Sequence, residues 1–277
     1  MTTHRPANSS TDPRVAVRVP APTVSFWAAK AVSTALGEAA SDFSIHVLPP
    51  VVAVLAGFVF FVAALAWQLH RRRYVPVSYW LAVAAVGVFG TMAADVLHVA
   101  LGIPYEITAS LYAAVLAAVF VLWWLLERDL SVHDITTPRR ELLYWAAVVA
   151  TFAMGTAAGD LTATGFGIGY LPSLIVFAAL ILLPLFGYRY LHFGGVFAFW
   201  FAYVLTRPLG ASAADWLGKS RSAGGLGLHS GWVALLFTVV LAALVAVEIG
   251  RRGRAAAASA RHREAPAATP ANADTAA

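Results

Sequence analysis

The chain has 277 residues, of which 60% are hydrophobic and only 12% charged, and its mean hydropathy is +0.73. A soluble domain carries about 25% charged residues, so an ordinary soluble enzyme is excluded. Disorder along the whole chain is excluded by the same apolar content. Cysteine is absent, which removes disulfides, thiolate metal ligands and thiol catalysis.

Residues 1–22 are polar and proline-bearing and lack the apolar core and cleavage site of a secretory signal; they read as a disordered cytoplasmic tail. Eight apolar stretches follow, over residues 24–43, 48–69, 77–101, 106–126, 141–164, 170–188, 194–217 and 229–249. Each is near the ~20 residues that cross a hydrocarbon core. Within lipid, a continuous segment of this kind satisfies its backbone only as a helix. Residues 251–277 start with Arg251, Arg252 and Arg254, continue in Ala, Pro and Thr, and read as a second disordered tail. The expected fold class is therefore all-α: a polytopic membrane protein with one membrane domain over residues 23–250.

Of the 19 Lys and Arg residues, 15 lie in the tails or in the loops near 70–76, 127–140 and 187–193. The opposite loops hold only Lys219 and Arg221, and Lys30 and Arg207 fall inside helices. The positive-inside bias then places both termini in the cytoplasm. The formal charge of +5 is a topology signal. No basic face with aromatic readers points to nucleic acid. The partners expected are the lipid bilayer and a small ion or solute.

An internal repeat runs through the chain. An aromatic residue and a tryptophan are followed by glycine ten residues after the tryptophan and by aspartate fifteen after it. The four copies are Phe26–Trp27–Gly37–Asp42, Tyr79–Trp80–Gly90–Asp95, Tyr144–Trp145–Gly155–Asp160 and Phe199–Trp200–Gly210–Asp215. All four fall on odd-numbered helices. Each unit is thus two helices long, and two crossings per unit return the chain to the same side. Four parallel repeats are expected, over about residues 23–70, 76–127, 141–189 and 194–250.

The segments Lys30–Asp42 (KAVSTALGEAASD), Gly90–Asp95 (GTMAAD), Gly155–Asp160 (GTAAGD), Thr206–Leu217 (TRPLGASAADWL) and Gly224–Leu228 (GGLGL) carry a resemblance. They resemble a bacterial family of uncharacterised "membrane-anchored proteins", built from four or five tandem two-helix repeats, each with a characteristic tryptophan. The resemblance spans about residues 23–250 and implies a fold and a location. It brings no catalytic residues.

On a helix, positions four apart share a face. Counting from each tryptophan, the stripe at +3, +7, +11 and +15 reads Lys30, Thr34, Glu38, Asp42 in the first repeat and Val83, Gly87, Thr91, Asp95 in the second. It reads Val148, Phe152, Thr156, Asp160 in the third and Tyr203, Arg207, Ala211, Asp215 in the fourth. A carboxylate within a membrane helix costs ~2.5–3.5 kcal/mol at the centre, so the stripes should face one another or water. Glu38, Asp42, Asp95, Asp160 and Asp215 are the candidate ion-binding residues, with Lys30 and Arg207 as counter-ions or ligands. His98, three residues after Asp95, is the candidate partner of Asp95 in a metal site. Thr91 and Thr156 are expected to bond back to their own helices. The tryptophans read as interfacial anchors, and the +10 glycines as points of close helix approach.

The leading functional reading is a transporter of a small cation, for which a divalent metal is one candidate ion and protons one candidate coupling. One alternative is transport of a small organic or anionic solute through Lys30 and Arg207. Another is a non-catalytic membrane protein whose charges form a structural network. No Gly-x-Ser-x-Gly elbow and no His-Glu-x-x-His occurs, so no enzyme is expected. No cofactor is expected; a bound divalent cation is the one candidate.

Overall fold

A computed structural model of the chain describes residues 17–264. Within them the chain is helical and forms no strand. The helices are α1 (Val24–Val47), α2 (Pro50–His70), α3 (Pro76–Asp95), α4 (Tyr105–Glu127), α5 (Pro138–Asp160), α6 (Tyr170–Leu180), α7 (Leu182–Tyr190), α8 (Gly195–Gly218) and α9 (Ser230–Glu264). Only Ile181 separates α6 from α7, and together they make one apolar stretch of 21 residues. Helix starts are encoded locally. Prolines open α2, α3 and α5, where a missing N–H costs nothing. The Thr23 hydroxyl accepts a hydrogen bond from the Phe26 N–H and caps α1.

Six stretches among the described residues are long and apolar enough to cross a membrane: α2, α3 with its extension, α4, α5 with its extension, α6–α7, and α9. The chain is an integral, multi-pass membrane protein. The two long helices outside this set, α1 and α8, carry Lys30, Glu38 and Asp42, and Arg207 and Asp215.

Four helices form an inner ring, in which α1 packs on α3, α3 on α5, α5 on α8 and α8 on α1. The others lie outside: α2 on α3, α4 on α5, α6 on α8 and α9 on α1. Each outer helix therefore covers the inner helix of the next repeat, and the last covers the first. Burial separates the two layers, since 72% of the α5 span is buried against 11% of α4 and of α9. The exposed faces of the outer helices are apolar, as lipid contact requires.

The ring closes through the repeated glycines. A Cβ on Gly37 would stand 2.7 Å from the Gly87 Cα, and one on Gly90 would stand 3.0 Å from the Phe152 Cβ. At the other two junctions, a Cβ on Gly155 would stand 2.6 Å from the Arg207 Cβ and one on Gly210 2.7 Å from the Thr34 Cβ. In all four cases the +10 glycine of one repeat meets the +7 residue of the next. The small residue lets two backbones approach closely. Pro208 lies inside α8 and turns its ring to Gly155, so it belongs to this packed junction.

Three sequence expectations change. Residues 17–20 are not a loose tail: Arg18, Val19 and Pro20 are buried, the Arg18 N–H donates to the Ile135 carbonyl at 3.0 Å, and the Tyr74 N–H donates to the Val17 carbonyl at 3.1 Å. At the other end α9 continues to Glu264, because the Ala- and Arg-rich sequence after Gly250 favours helix. The remaining parts of both expected tails, 1–16 and 265–277, lie outside the described residues. The third change concerns the tryptophans. Trp80, Trp145 and Trp200 are 2%, 1% and 5% exposed, so they are core residues and not interfacial anchors. Their position near a helix end is the same in both readings; the direction they face is set by the ring.

Candidate functional site

The four stripes line the middle of the ring and form a column in layers. At the tryptophan end lie Phe26, Tyr79, Tyr144 and Phe199, joined by the 2.5 Å hydrogen bond between the Tyr79 and Tyr144 hydroxyls and by stacking of Phe26 on Phe199. Tyr79 and Tyr144 are buried, and the layer seals the column. Tyr144→Phe removes that one hydroxyl pair, and a loss of about 1 kcal/mol is expected from the thermal unfolding of the detergent-solubilised protein.

The next layer holds Lys30, Val83, Val148 and Tyr203, all fully buried. The Lys30 ammonium nitrogen lies 4.0 Å from the centroid of the Phe152 ring and 3.9 Å from that of Tyr203. Among the described residues it has no hydrogen-bond partner. The ring faces supply the negative potential that holds it. The structure therefore places Lys30 against aromatic faces and away from the carboxylates it was expected to neutralise.

Arg207 supplies the centre of the column. Its Nη2 lies 2.7 Å from Glu38 Oε2, 2.5 Å from Thr91 Oγ1 and 2.6 Å from Thr156 Oγ1, so its two N–H groups are shared among three oxygens. Its Nη1 donates to the Thr34 carbonyl at 3.4 Å. One guanidinium from the fourth repeat thus joins the +11 residues of the other three, and Glu38 is its ion partner. Thr91 and Thr156 also donate back to the Gly87 and Phe152 carbonyls of their own helices, at 2.9 and 3.1 Å, as expected for helical threonines.

Beyond this node the column opens to the aspartates. Asp215 is 5% exposed, while Asp42, Asp95 and Asp160 are half-buried. Asp95 lies within electrostatic range of Glu38, Asp42 and Asp215, and Asp160 within range of Glu38 and Asp95. The repeated position therefore gathers at one end of the ring. Asp42 Oδ2 accepts a 2.6 Å hydrogen bond from Lys219 Nζ, which also lies 3.5 Å from Asp215 Oδ1. Among the described residues Asp95 and Asp160 join no ion pair, and their carboxylates accept no hydrogen bond. Five carboxylates, Glu38, Asp42, Asp95, Asp160 and Asp215, then face two basic groups, Arg207 and Lys219, a nominal −3 when all are ionised.

Asp95 and Asp160 each end an α-helix and are each followed by a π-helical turn, Val96–Ala100 and Leu161–Gly165. The wider π-turn is a frequent feature of functional sites. His98, the expected partner of Asp95, lies inside the first of these turns. The His98 ring stacks on Tyr105 at 3.5 Å, and its Nδ1 lies 2.8 Å from the Ile103 carbonyl. Among the described residues no three His, Asp or Glu side chains converge as ligands for one metal ion. The loops after the π-turns repeat as well: Gly102 and Gly167 both have φ of +67°, a left-handed conformation that glycine adopts without strain. They deliver Tyr105 and Tyr170 to the aspartate layer, within range of Asp160.

A pocket of about 710 Å³ opens beside this layer between α1, α8 and α9, lined by Asp42, His46, Lys219, His229 and Trp232 among others. Lys219 was read from sequence only as a loop residue, although its position four after Asp215 is an ion-pair spacing. Glu141 was missed also. It is fully buried at the start of α5, and it binds Arg18 at 2.6 Å and the Gln68 amide at 3.2 Å. Its partners lie 123 and 73 residues away, so no local spacing marks it.

A family model described as Repeat of Unknown Function (DUF347) matches the chain four times, over residues 25–74, 78–129, 143–191 and 198–253. No curated protein matches the chain. No solved structure matches it.

Proposed function

The chain belongs to the DUF347 family of tandem repeats, and from that premise we propose that it is a transporter of a small cation in a bacterial inner membrane, with eight crossings arranged as four parallel two-helix repeats. One observation carries the reading. The same carboxylate from every repeat gathers at the open end of a buried polar column, and two of the four carboxylates have no partner among the described residues. Charge of this kind inside a membrane protein is costly and marks ion pathways.

Parallel repeats are supported by the four junctions, where a +10 glycine meets a +7 residue each time. Crossing by α1 and α8 is supported by their length of 24 residues each and by their position inside the ring, where neighbours shield their charges. The basic loops put the tryptophan end in the cytoplasm. A cation then arrives from the outer side at the aspartate layer, where Asp95 and Asp160 have no ion partner among the described residues. The Arg207–Glu38 pair is the inner barrier, and the aromatic layer is the cytoplasmic closure. The cation is cargo, and the reading gives the chain no catalytic chemistry and no resident cofactor. Anion transport has less support, because Arg207 is spent on Glu38 and two threonines and Lys30 is enclosed by rings.

The test is complementation of a deletion strain grown across a panel of metal ions and pH values. Asp95→Asn with Asp160→Asn is expected to abolish the wild-type growth difference while the protein stays at its normal level in the membrane. Full complementation by the double variant would sink the transport reading and leave the charges as a structural network.

A further inference from the structure

Lys219 stands where the repeat has no equivalent. The residue four places after the aspartate is His46 in the first repeat, Val99 in the second and Thr164 in the third. In the fourth it is Lys219, just past the end of α8, with its ammonium between carboxylates of the first and fourth repeats at 2.6 and 3.5 Å. The Asp215 Oδ1 that faces it is buried and makes no hydrogen bond, so the ammonium balances its charge without saturating it. This is the arrangement of a single cation shared by two carboxylates. The Lys219 side chain is 32% exposed and borders the 710 Å³ pocket, which Asp42 also lines and which gives the ammonium room to move. Burial would lower the proton affinity of Lys219, but the charges of Asp215 and Asp42 outweigh it, and the group is held well above the ordinary lysine value. It is an ammonium at neutral pH.

We propose that Lys219 is a tethered cation that occupies the Asp42–Asp215 half of the aspartate ring and competes with the transported ion for it. The inference rests on the cation-transport reading and adds its regulation. With Lys219 in place, only Asp95 and Asp160 are open, and a cation is held weakly. When Lys219 swings further into the pocket, Asp42 and Asp215 lose their shared counter-charge and the aspartate layer holds a cation more strongly; return of the ammonium weakens that hold and releases the ion. The ring thus binds and releases without an outside competitor.

The chain contains no cysteine, so Lys219→Cys is a unique thiol. The measurement is Mn²⁺ binding, read by electron paramagnetic resonance on the full chain in lipid nanodiscs. Removing a positive charge a few ångströms from a bound ion should tighten K219C by about tenfold or more, from the size of that repulsion at an intermediate dielectric. Reaction with aminoethyl methanethiosulfonate restores an ammonium and should return the affinity to that of the wild type; the uncharged methyl reagent should not. Lys219→Gln keeps a donor for Asp42 and serves as the second variant, with the same tightening expected. If K219C and K219Q both bind within twofold of the wild type, while Asp95→Asn with Asp160→Asn removes wild-type binding, the tethered ion is overturned and the cation site stands. If neither the wild type nor either Lys219 variant binds Mn²⁺, the tethered ion and its cation site both fall.

Discussion

Arg207→Met is expected to destabilise the protein by about 3–5 kcal/mol, the range for breaking a buried ion pair by removal of one partner. The cost comes from what is left behind. Glu38 is 4% exposed and Arg207 is its ion partner, while Thr91 and Thr156 lose a charged donor. Replacing both members should therefore cost less than replacing one. Glu38→Gln with Arg207→Met is expected to recover a substantial part of the loss, because no uncompensated charge remains at the centre. Thermal unfolding in one detergent, with the single and double variants side by side, reads both effects. A single variant as stable as the wild type would show that the pair is open to water and that the column has no sealed centre. A double variant worse than the sum of the singles would show that volume, not charge, dominates at this position.

Gly37→Leu is the second large effect. A Cβ on Gly37 would stand 2.7 Å from both the Cα and the carbonyl carbon of Gly87. These are backbone atoms on the neighbouring ring helix, and no rotamer change relieves the clash. Overpacking costs about 1–3 kcal/mol where side chains can shift, so a loss of about 3 kcal/mol or more is expected here. Gly37→Ala should cost less but remain destabilising. Gly250→Ala is the control: nothing lies within 4 Å of a Cβ there. At that helical site alanine should be neutral or stabilise by up to about 1 kcal/mol. The comparison is made by thermal unfolding in detergent. If Gly37→Leu and Gly250→Ala behave alike, the α1–α3 contact does not hold the ring together.

Much of the organisation was legible in the sequence because membrane insertion is a local constraint. The apolar stretches match the helices to within a few residues, apart from the C-terminal continuation of α9 and the break between α6 and α7 at Ile181. The spacing of tryptophan, glycine and aspartate identified the four repeats, and the family match covers the same units. The stripe from Lys30 to Asp42 and its three counterparts also followed from helical periodicity alone.

Partners were a different matter. Periodicity puts Lys30, Glu38 and Asp42 on one face but does not say what lies opposite. The structure sends Glu38 to Arg207, 169 residues away, Asp42 to Lys219, 177 residues away, and Lys30 to the rings of Phe152 and Tyr203. These pairings depend on closure of the ring, which brings α8 against α1. The tryptophans show the same division. Their placement near helix ends suits both a lipid interface and an aromatic layer, and only the packing of four helices around one axis turns Trp80, Trp145 and Trp200 inward. The π-turns after Asp95 and Asp160 were equally out of reach.

The sequence by itself determined the membrane class, the repeat and the face on which charge lies, because each is set by residues within a few turns of one another. Only the tertiary structure decided which carboxylates are neutralised and which remain open. That choice depends on distances between helices far apart in the chain, and the energy of a buried charge is set by its nearest neighbours in space.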